Sequence, residues 1–249
     1  MQVIVQNLDI NYLDEGEGPV ILLLHGWQDS LLTFNELTLK LSKAHRLIRL
    51  DLPGFGKSET PPSAWSLDDY VRLVSDFMAK LNVKADIIAG HSFGGRIAIK
   101  GTAGNVFQPK KLILIATAGI SKSRTARNLA LKVLAKTGKA VTSIPPLSFC
   151  KEKMKKKMYA AIGSDYLNAG TLKETFLKTI AEDLCQAAEH IAIPTLLIWG
   201  ADDMETPLSD GKKFAQLINN SDLKVISGAG HFVHREKPTL VSELIDEFI

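Results

Sequence analysis

Six short and almost wholly apolar runs alternate along this sequence with segments of helical length. Such a run is typical of a strand that is covered on both faces, and parallel sheets are built from strands of this kind. The apolar runs lie at 19–26, 45–52, 85–90, 111–118, 194–200 and 223–228. The segments of helical length lie at 30–43, 66–82, 92–104, 208–219 and 238–249.

The N-terminal stretch MQVIVQNLDINYLDEG favours a further hairpin or pair of strands ahead of this alternation. Alternating β and α segments with buried strands predict an α/β fold. We therefore expect a mostly parallel, eight-stranded sheet with helices on both faces.

The alternation stops once, between about residues 121 and 190. This segment holds no convincing strand, is rich in lysine and has helix-like sequence, and it is too long to be a loop. It predicts a helical insertion at 121–190 in a core formed by 1–120 and 191–249.

The composition excludes several classes of protein. Of the 249 residues, 45% are hydrophobic and 23% charged, which is typical of a globular protein with one sizeable core. No apolar run reaches the roughly 18 residues of a membrane span, and we expect no signal peptide because the first residues lack a basic start followed by an apolar stretch. Two cysteines indicate neither a disulfide framework nor a metal site. We expect a cytoplasmic protein without a nucleic-acid partner, and the sequence does not indicate an oligomeric state.

Positive charge is concentrated in residues 121–157, which hold eleven lysines and arginines and one acidic residue, Glu152. A solvated face is the interpretation that we favour for this segment. Steering of an anionic substrate and adsorption of a basic amphipathic helix to an anionic membrane surface are the alternatives.

Ser92 lies in the stretch IIAGHSFGGRIAIK, where a predicted strand turns directly into a predicted helix. Such a turn strains the backbone, and glycines at 90 and 94 remove Cβ atoms that would otherwise collide. The turn lifts the Ser92 hydroxyl above the sheet edge and puts the N–H of Phe93 at a helix N-terminus, where negative charge is stabilised. The pattern predicts a nucleophilic serine, and a glycine-rich turn with a structural serine is the alternative.

A serine hydroxyl needs a base within reach, most often a histidine that a buried carboxylate orients. In this sheet order the carboxylate and then the histidine are expected in loops after late strands. WGADDMETP offers Asp202 and Asp203, and SGAGHFVHREKP offers His231 and then His234. We choose His231 as the base because it comes first in its loop, after two glycines, whereas His234 is nearer the following helix.

The motifs LLHGW, DLPGFGKS, GHSFGG, WGADDMETP and GAGHFVHREKP together resemble the α/β-hydrolase superfamily, in particular its branch with a single helical cap. The resemblance covers the core, 1–120 and 191–249. It implies that Ser92 is the nucleophile, His231 the base and Asp203, rather than Asp202, the acid. It also implies that the backbone N–H of Trp27 is the second oxyanion-hole donor beside that of Phe93, and that 121–190 forms a cap over the serine.

The same resemblance implies a serine hydrolase that cleaves small-molecule carboxylic esters of small to medium acyl chain through an acyl-enzyme. No cofactor and no metal are expected. Two alternatives remain: a carbon–carbon bond hydrolase of the meta-cleavage product type, and a non-catalytic member that only binds a ligand. Epoxide hydrolases and haloalkane dehalogenases normally carry aspartate at the elbow, so Ser92 argues against them.

Overall fold

A computed structural model of the chain describes residues 1–120 and 170–249. Eight strands form one sheet: β1 Gln2–Val5, β2 Leu8–Glu15, β3 Val20–Leu24, β4 Arg46–Leu50, β5 Ile87–His91, β6 Lys111–Ile115, β7 Thr195–Gly200 and β8 Ser221–Ile226. The α-helices of the described ranges are α1 Asn35–Leu41, α2 Leu67–Lys80, α3 Phe93–Ala103, α4 Lys173–Ala181, α5 Cys185–Glu189, α6 Leu208–Leu217, α7 Val233–Glu236 and α8 Pro238–Phe248. Short 3₁₀ helices precede α1 at Leu31–Phe34 and α4 at Gly170–Leu172.

The strands follow the order β1-β2-β4-β3-β5-β6-β7-β8 across the sheet. β2 is antiparallel to both β1 and β4, and every other neighbouring pair is parallel. The predicted mostly parallel, eight-stranded sheet is therefore confirmed. Because the chain goes from β3 to β4 on one side and returns to β5 on the other, the order reverses at β3, and ligands of open α/β sheets bind beyond the carboxyl ends of the strands at such a point.

Helices cover both faces of the sheet, as predicted. Successive residues of a strand point to opposite faces, so Leu22 and Leu24 of β3 belong to one apolar core and Leu23 to the other. The first core is completed by residues of α2, α3 and α6, and the second by residues of α1 and α8. Almost every residue of the central strands is buried, which explains why these strands have continuous apolar sequences.

The helix and strand boundaries agree with the expected ranges within a few residues. The predicted helix at 66–82 is α2, and its start is fixed by a capping box in which the Asp69 carboxylate accepts the Ser66 backbone N–H at 2.7 Å. One clear difference concerns the run 111–118, because its strand ends at Ile115. Ala116 has a φ of 44° and turns the chain out of the sheet.

The described part of the predicted insertion, from residue 170 onward, contains α4 and α5. Residues 121–169, with the basic segment 121–157, lie outside the described residues. Every helix of the two described ranges falls short of the length and apolar character that a membrane span requires.

Candidate active site

Four loops of the sequence prediction follow β3, β5, β7 and β8, and the parallel register brings them to the same edge of the sheet. Leu24 at the end of β3 pairs with Gly90 of β5, and Gly200 at the end of β7 pairs with Ile226 at the end of β8. The motif residues therefore meet at the carboxyl edge, at the reversal of the strand order.

Ser92 lies between β5 and α3 with φ 48° and ψ −107°, a backbone conformation that residues other than glycine rarely adopt. The two flanking glycines allow it. A Cβ on Gly94 would lie 2.0 Å from the Leu24 carbonyl oxygen, and a Cβ on Gly90 would lie 2.5 Å from the Gly94 oxygen. The sharp strand-to-helix turn expected from the sequence is therefore present.

His231 and Asp203 are joined directly. His231 Nδ1 lies 2.9 Å from Asp203 Oδ2, and both side chains are buried. The other carboxylate oxygen of Asp203 accepts the backbone N–H groups of Glu205 at 2.8 Å and Thr206 at 2.9 Å. Burial raises the pKa of Asp203, but the hydrogen bonds from His231 and Thr206 outweigh burial and hold this pKa below the ordinary value. Asp203 is therefore an ionised acceptor that fixes the orientation of the His231 ring, whereas Asp202 is exposed.

Thr206 is a further residue of the site that the sequence reasoning did not identify. Its hydroxyl lies 2.8 Å from Asp203 Oδ2, 3.0 Å from the Ala116 carbonyl oxygen and 3.2 Å from His231 Nδ1. It ties the turn after β7 to the end of β6, at the residue where β6 leaves the sheet.

Two other histidines pack around His231, and both are buried. His91 Nε2 donates to the His231 carbonyl oxygen at 3.0 Å, and the His91 and His234 rings lie 4.4 Å apart. His234 Nε2 lies 2.9 Å from the Thr33 hydroxyl. Burial lowers the pKa of His234 to about 3 and the pKa of His91 well below its ordinary value, an effect to which the neighbouring histidines add. Both rings are therefore neutral, and they support the loop of His231 through packing and one hydrogen bond.

His25, the residue that follows β3, has a structural role. Its Nε2 accepts the Leu52 backbone N–H at 2.9 Å, so Nδ1 carries the proton and donates to the Gly26 carbonyl oxygen at 2.7 Å. Burial lowers the pKa of His25. A neutral ring therefore holds the loop after β3 against the loop after β4.

A cavity of about 140 Å³ opens beside these residues, and both Ser92 and His231 line it. No hydrogen bond joins the Ser92 hydroxyl to His231 within the described ranges. The nearest charged group to His231 Nε2 there is the carboxylate of Glu205, whose Oε2 lies 3.5 Å away. The structure thus brings the serine and the histidine to one cavity, and it joins the histidine to Asp203.

The two expected oxyanion-hole residues, Trp27 and Phe93, also line the cavity. Phe93 is the first residue of α3, so its N–H has no partner within the helix. A Cβ on Gly26 would lie 3.4 Å from the Ser92 Cβ, so the backbone that precedes Trp27 is in close contact with the elbow.

Helix α4, in the described part of the predicted insertion, forms one wall of the cavity. Phe176 of α4 packs on Trp27 with ring centroids 5.0 Å apart, and both line the cavity. The buried Arg96 of α3 donates through Nη2 to the carbonyl oxygens of Thr179 at 2.5 Å and Glu182 at 2.6 Å. Burial lowers the pKa of Arg96 to about 10, so it keeps its charge at neutral pH and fastens the end of α4 over the elbow.

Comparison with known families gives a match over most of the chain. The model of a family described as the alpha/beta hydrolase family matches residues 21–244. This range contains the elbow, both late loops and the loop after β3.

Individual proteins resemble this chain at low sequence identity. An AB hydrolase superfamily protein of Bacillus subtilis, YisY, is 28% identical over 94% of this chain and 93% of its own length. The monoacylglycerol lipase ABHD6 of Bos taurus is 26% identical over 94% of this chain and 76% of its own length. Among solved structures, a membrane phospholipase A described as a bacterial virulence factor is 26% identical, with a TM-score of 0.77 over 100% of this chain and 84% of that one.

Proposed function

The chain belongs to the alpha/beta hydrolase family, and from that premise we propose that it is a serine hydrolase that cleaves carboxylic esters through an acyl-enzyme. In this proposal Ser92 is the nucleophile, His231 the general base and Asp203 the acid. The backbone N–H groups of Trp27 and Phe93 form the oxyanion hole.

The observation that carries the proposal is the orientation of His231. Its Nδ1 is occupied by the buried carboxylate of Asp203 at 2.9 Å, so the proton of the neutral ring lies on Nδ1. Nε2 is then the basic nitrogen, and the ring lines the same cavity as Ser92. This is the tautomer that a base for the serine hydroxyl requires.

In the first half of the reaction, Ser92 Oγ attacks the ester carbonyl carbon as its proton passes to His231 Nε2. The carbonyl electron pair moves onto oxygen, and two N–H donors hold that oxyanion; loss of one such donor typically costs about 3 kcal/mol. Asp203 stabilises the imidazolium. The C–O bond to the alcohol then breaks as the alcohol oxygen takes the proton from Nε2.

In the second half, His231 Nε2 takes a proton from a water molecule whose oxygen attacks the acyl carbon. Collapse of the second tetrahedral intermediate releases the acid and returns the proton to Ser92. Apart from the attacking water, each step uses side chains and N–H groups of this chain, and the histidine alternates between base and acid.

The size of the cavity supports a small acyl group. A cavity of 150 Å³ lined by apolar side chains holds one benzene molecule, and the cavity beside Ser92 measures about 140 Å³. Trp27, Phe93 and Phe176 give it an apolar, aromatic wall. We therefore expect acyl groups of a few carbon atoms to be cleaved fastest.

We propose that residues 121–190 form a cap over the site. Support comes from α4, whose Phe176 covers Trp27 and whose C-terminal end is fastened by Arg96. Two of the similar proteins, a monoacylglycerol lipase and a phospholipase A, are named for activity on lipid esters, which favours an ester as the substrate here.

The test is hydrolysis of p-nitrophenyl esters with acyl chains from C2 to C12 by the wild type, Ser92→Ala and the exposed-serine control Ser63→Ala. We expect the fastest turnover at short chains, a loss of at least about a thousandfold in Ser92→Ala, and unchanged rates in Ser63→Ala. Activity that survives in Ser92→Ala would remove the serine from the mechanism.

The same panel separates the alternatives. A wild type that cleaves no ester but hydrolyses a carboxylated dienone would be a carbon–carbon bond hydrolase. A wild type that binds esters in its cavity without turnover would be a ligand-binding member of the fold.

A further inference from the structure

Glu205 is the charged residue nearest the outer nitrogen of His231 in the described parts of the chain. Its Oε2 lies 3.5 Å from His231 Nε2, and its side chain lines the cavity while remaining 59% exposed. The separation is longer than a good hydrogen bond but within the range of an ion pair. Over residues 1–120 and 170–249, the Glu205 carboxylate has no Lys or Arg within ion-pair distance.

The position matters because Nε2 is the atom that exchanges protons with the serine. The turn that follows β7 holds both carboxylates: Asp203 contacts Nδ1 from within, and Glu205 approaches Nε2 from the solvent side. The backbone N–H of Glu205 donates to Asp203 Oδ1 at 2.8 Å. This hydrogen bond fixes the position of Glu205 relative to Asp203.

The other titratable or charged groups around His231 do not compete for Nε2. His91 faces the ring at a centroid distance of 4.8 Å and donates to the His231 carbonyl oxygen. His234, on α7, is buried beyond His91. Arg96, across the cavity, donates to the carbonyl oxygens of Thr179 in α4 and of Glu182 directly after it.

We propose that Glu205 is a positioning residue for His231, a second carboxylate that pairs with the imidazolium at Nε2 while Asp203 holds Nδ1. The role in turnover rests on the proposed serine hydrolase function. The ion pair itself depends only on the geometry of the loop after β7.

The pair acts at two points. When Ser92 attacks, its proton moves to Nε2 and the ring becomes positive, so the nearby carboxylate stabilises that charge until the proton passes to the leaving oxygen. In the resting enzyme at acid pH, a proton from solvent occupies Nε2 instead, and Glu205 stabilises this form, in which the ring cannot accept the serine proton.

The test is the pH dependence of kcat/KM for a neutral p-nitrophenyl ester in the wild type, Glu205→Gln and Asp202→Asn. Glutamine keeps the shape and removes the charge, and Asp202→Asn removes an exposed charge from the same turn. We expect the acid-side half-maximum of Glu205→Gln to move down by about half a pH unit, a small shift because solvent screens an exposed ion pair. Asp202→Asn should follow the wild type.

Salt gives a second arm, because at about 1 M the Debye length falls to about 3 Å. The wild-type profile should then approach that of Glu205→Gln, whose own profile should move less. A Glu205→Gln profile that coincides with the wild type, or moves to higher pH, would overturn the proposal.

The third arm does not depend on turnover. The titration of the His231 ring proton, followed by NMR in the wild type and Glu205→Gln, should shift to lower pH in the variant. If the wild type cleaved no ester and this shift were present, the proposed function would fail and the ion pair would stand. Identical titrations of the wild type and Glu205→Gln would contradict the proposed ion pair, even if the wild type hydrolysed esters.

Discussion

Asp203 shows how much of the candidate site depends on one side chain. Its carboxylate is fully buried, and it accepts hydrogen bonds from the ring of His231, from the Thr206 hydroxyl and from two backbone N–H groups. A buried carboxylate with this many donors stays ionised because each donor favours the charged form. Asp202, its neighbour in sequence, is exposed and has none of these side-chain contacts in the described structure.

We predict that Asp203→Asn lowers kcat for a short-chain ester by about ten thousandfold, because an amide favours the wrong tautomer of His231 and does not stabilise the imidazolium. Asp202→Asn should change kcat less than about twofold, since most substitutions of exposed residues have small effects. Steady-state kinetics of the two variants side by side check this. A larger loss of kcat in Asp202→Asn than in Asp203→Asn would assign the role of the acid to Asp202.

Sequence reasoning proposed Ser92 and His231 from their places after strands, because a turn that demands glycine and a loop at a known strand end are local features. It left Asp202 and Asp203 open until the family resemblance, since neighbouring residues of a turn point in different directions that only the folded loop defines. Thr206 and Glu205 were not identified for the same reason. Their contacts with Asp203 and His231 depend on how the turn folds.

The elbow between β5 and α3 is the element on which the position of Ser92 depends. It forms only because the backbone at Gly94 approaches the end of β3, where a Cβ would lie 2.0 Å from the Leu24 carbonyl oxygen. A backbone oxygen cannot rotate away as a side chain can. The elbow therefore packs directly against the backbone at the end of β3.

We predict that Gly94→Ala lowers the free energy of unfolding by more than about 3 kcal/mol, or prevents folding, because the collision is with backbone. Gly104→Ala, at the other end of the same helix, is the control: a Cβ there would lie 3.2 Å from the Lys100 carbonyl oxygen and touch little else. Urea denaturation measures both. Equal stabilities of the two variants would show that the elbow has room that the structure does not indicate.

Sequence and structure differ clearly at the end of β6. The apolar run 111–118 predicts a strand of eight residues, but the sheet pairing ends at Ile115. Apolar residues indicate burial and not direction, so they do not reveal that the chain turns at Ala116 with φ 44°, where its carbonyl oxygen lies 3.0 Å from the Thr206 hydroxyl. The mostly parallel sheet and its two covered faces were predictable, because alternating runs of this length form few other arrangements.

The stability of the whole molecule should depend on pH through its buried histidines. His91 and His234 are neutral in the folded state because burial lowers the pKa of each, that of His234 to about 3. In the unfolded chain both bind protons below about pH 6.5. The unfolded state therefore takes up more protons than the folded state below that pH, and stability falls as the pH is lowered.

We predict that the contribution of these two groups to the free energy of unfolding is constant above about pH 7. It falls from about pH 6.5 toward pH 4, by up to roughly 1.4 kcal/mol per pH unit for each histidine. In His234→Gln the slope of the free energy of unfolding against pH should be smaller by the contribution of one proton, whatever the stability of the variant at pH 7.5. The control His190→Gln, at an exposed position, should keep the wild-type slope. Urea denaturation at pH 7.5, 6 and 5 measures the slopes, and an unchanged slope in His234→Gln would contradict the buried, neutral state of that ring.

The central claim is that the Ser92 hydroxyl is made nucleophilic by His231 and Asp203 at the carboxyl edge of the sheet. A p-nitrophenyl alkylphosphonate tests it most directly, because an activated serine displaces p-nitrophenolate from it and keeps the phosphonyl group. We predict that mass spectrometry after digestion finds one phosphonyl group per chain, on the peptide that contains Ser92, and far slower labelling in Asp203→Asn. Labelling of a different residue, or an esterase that is inactivated without any label on Ser92, would contradict the account.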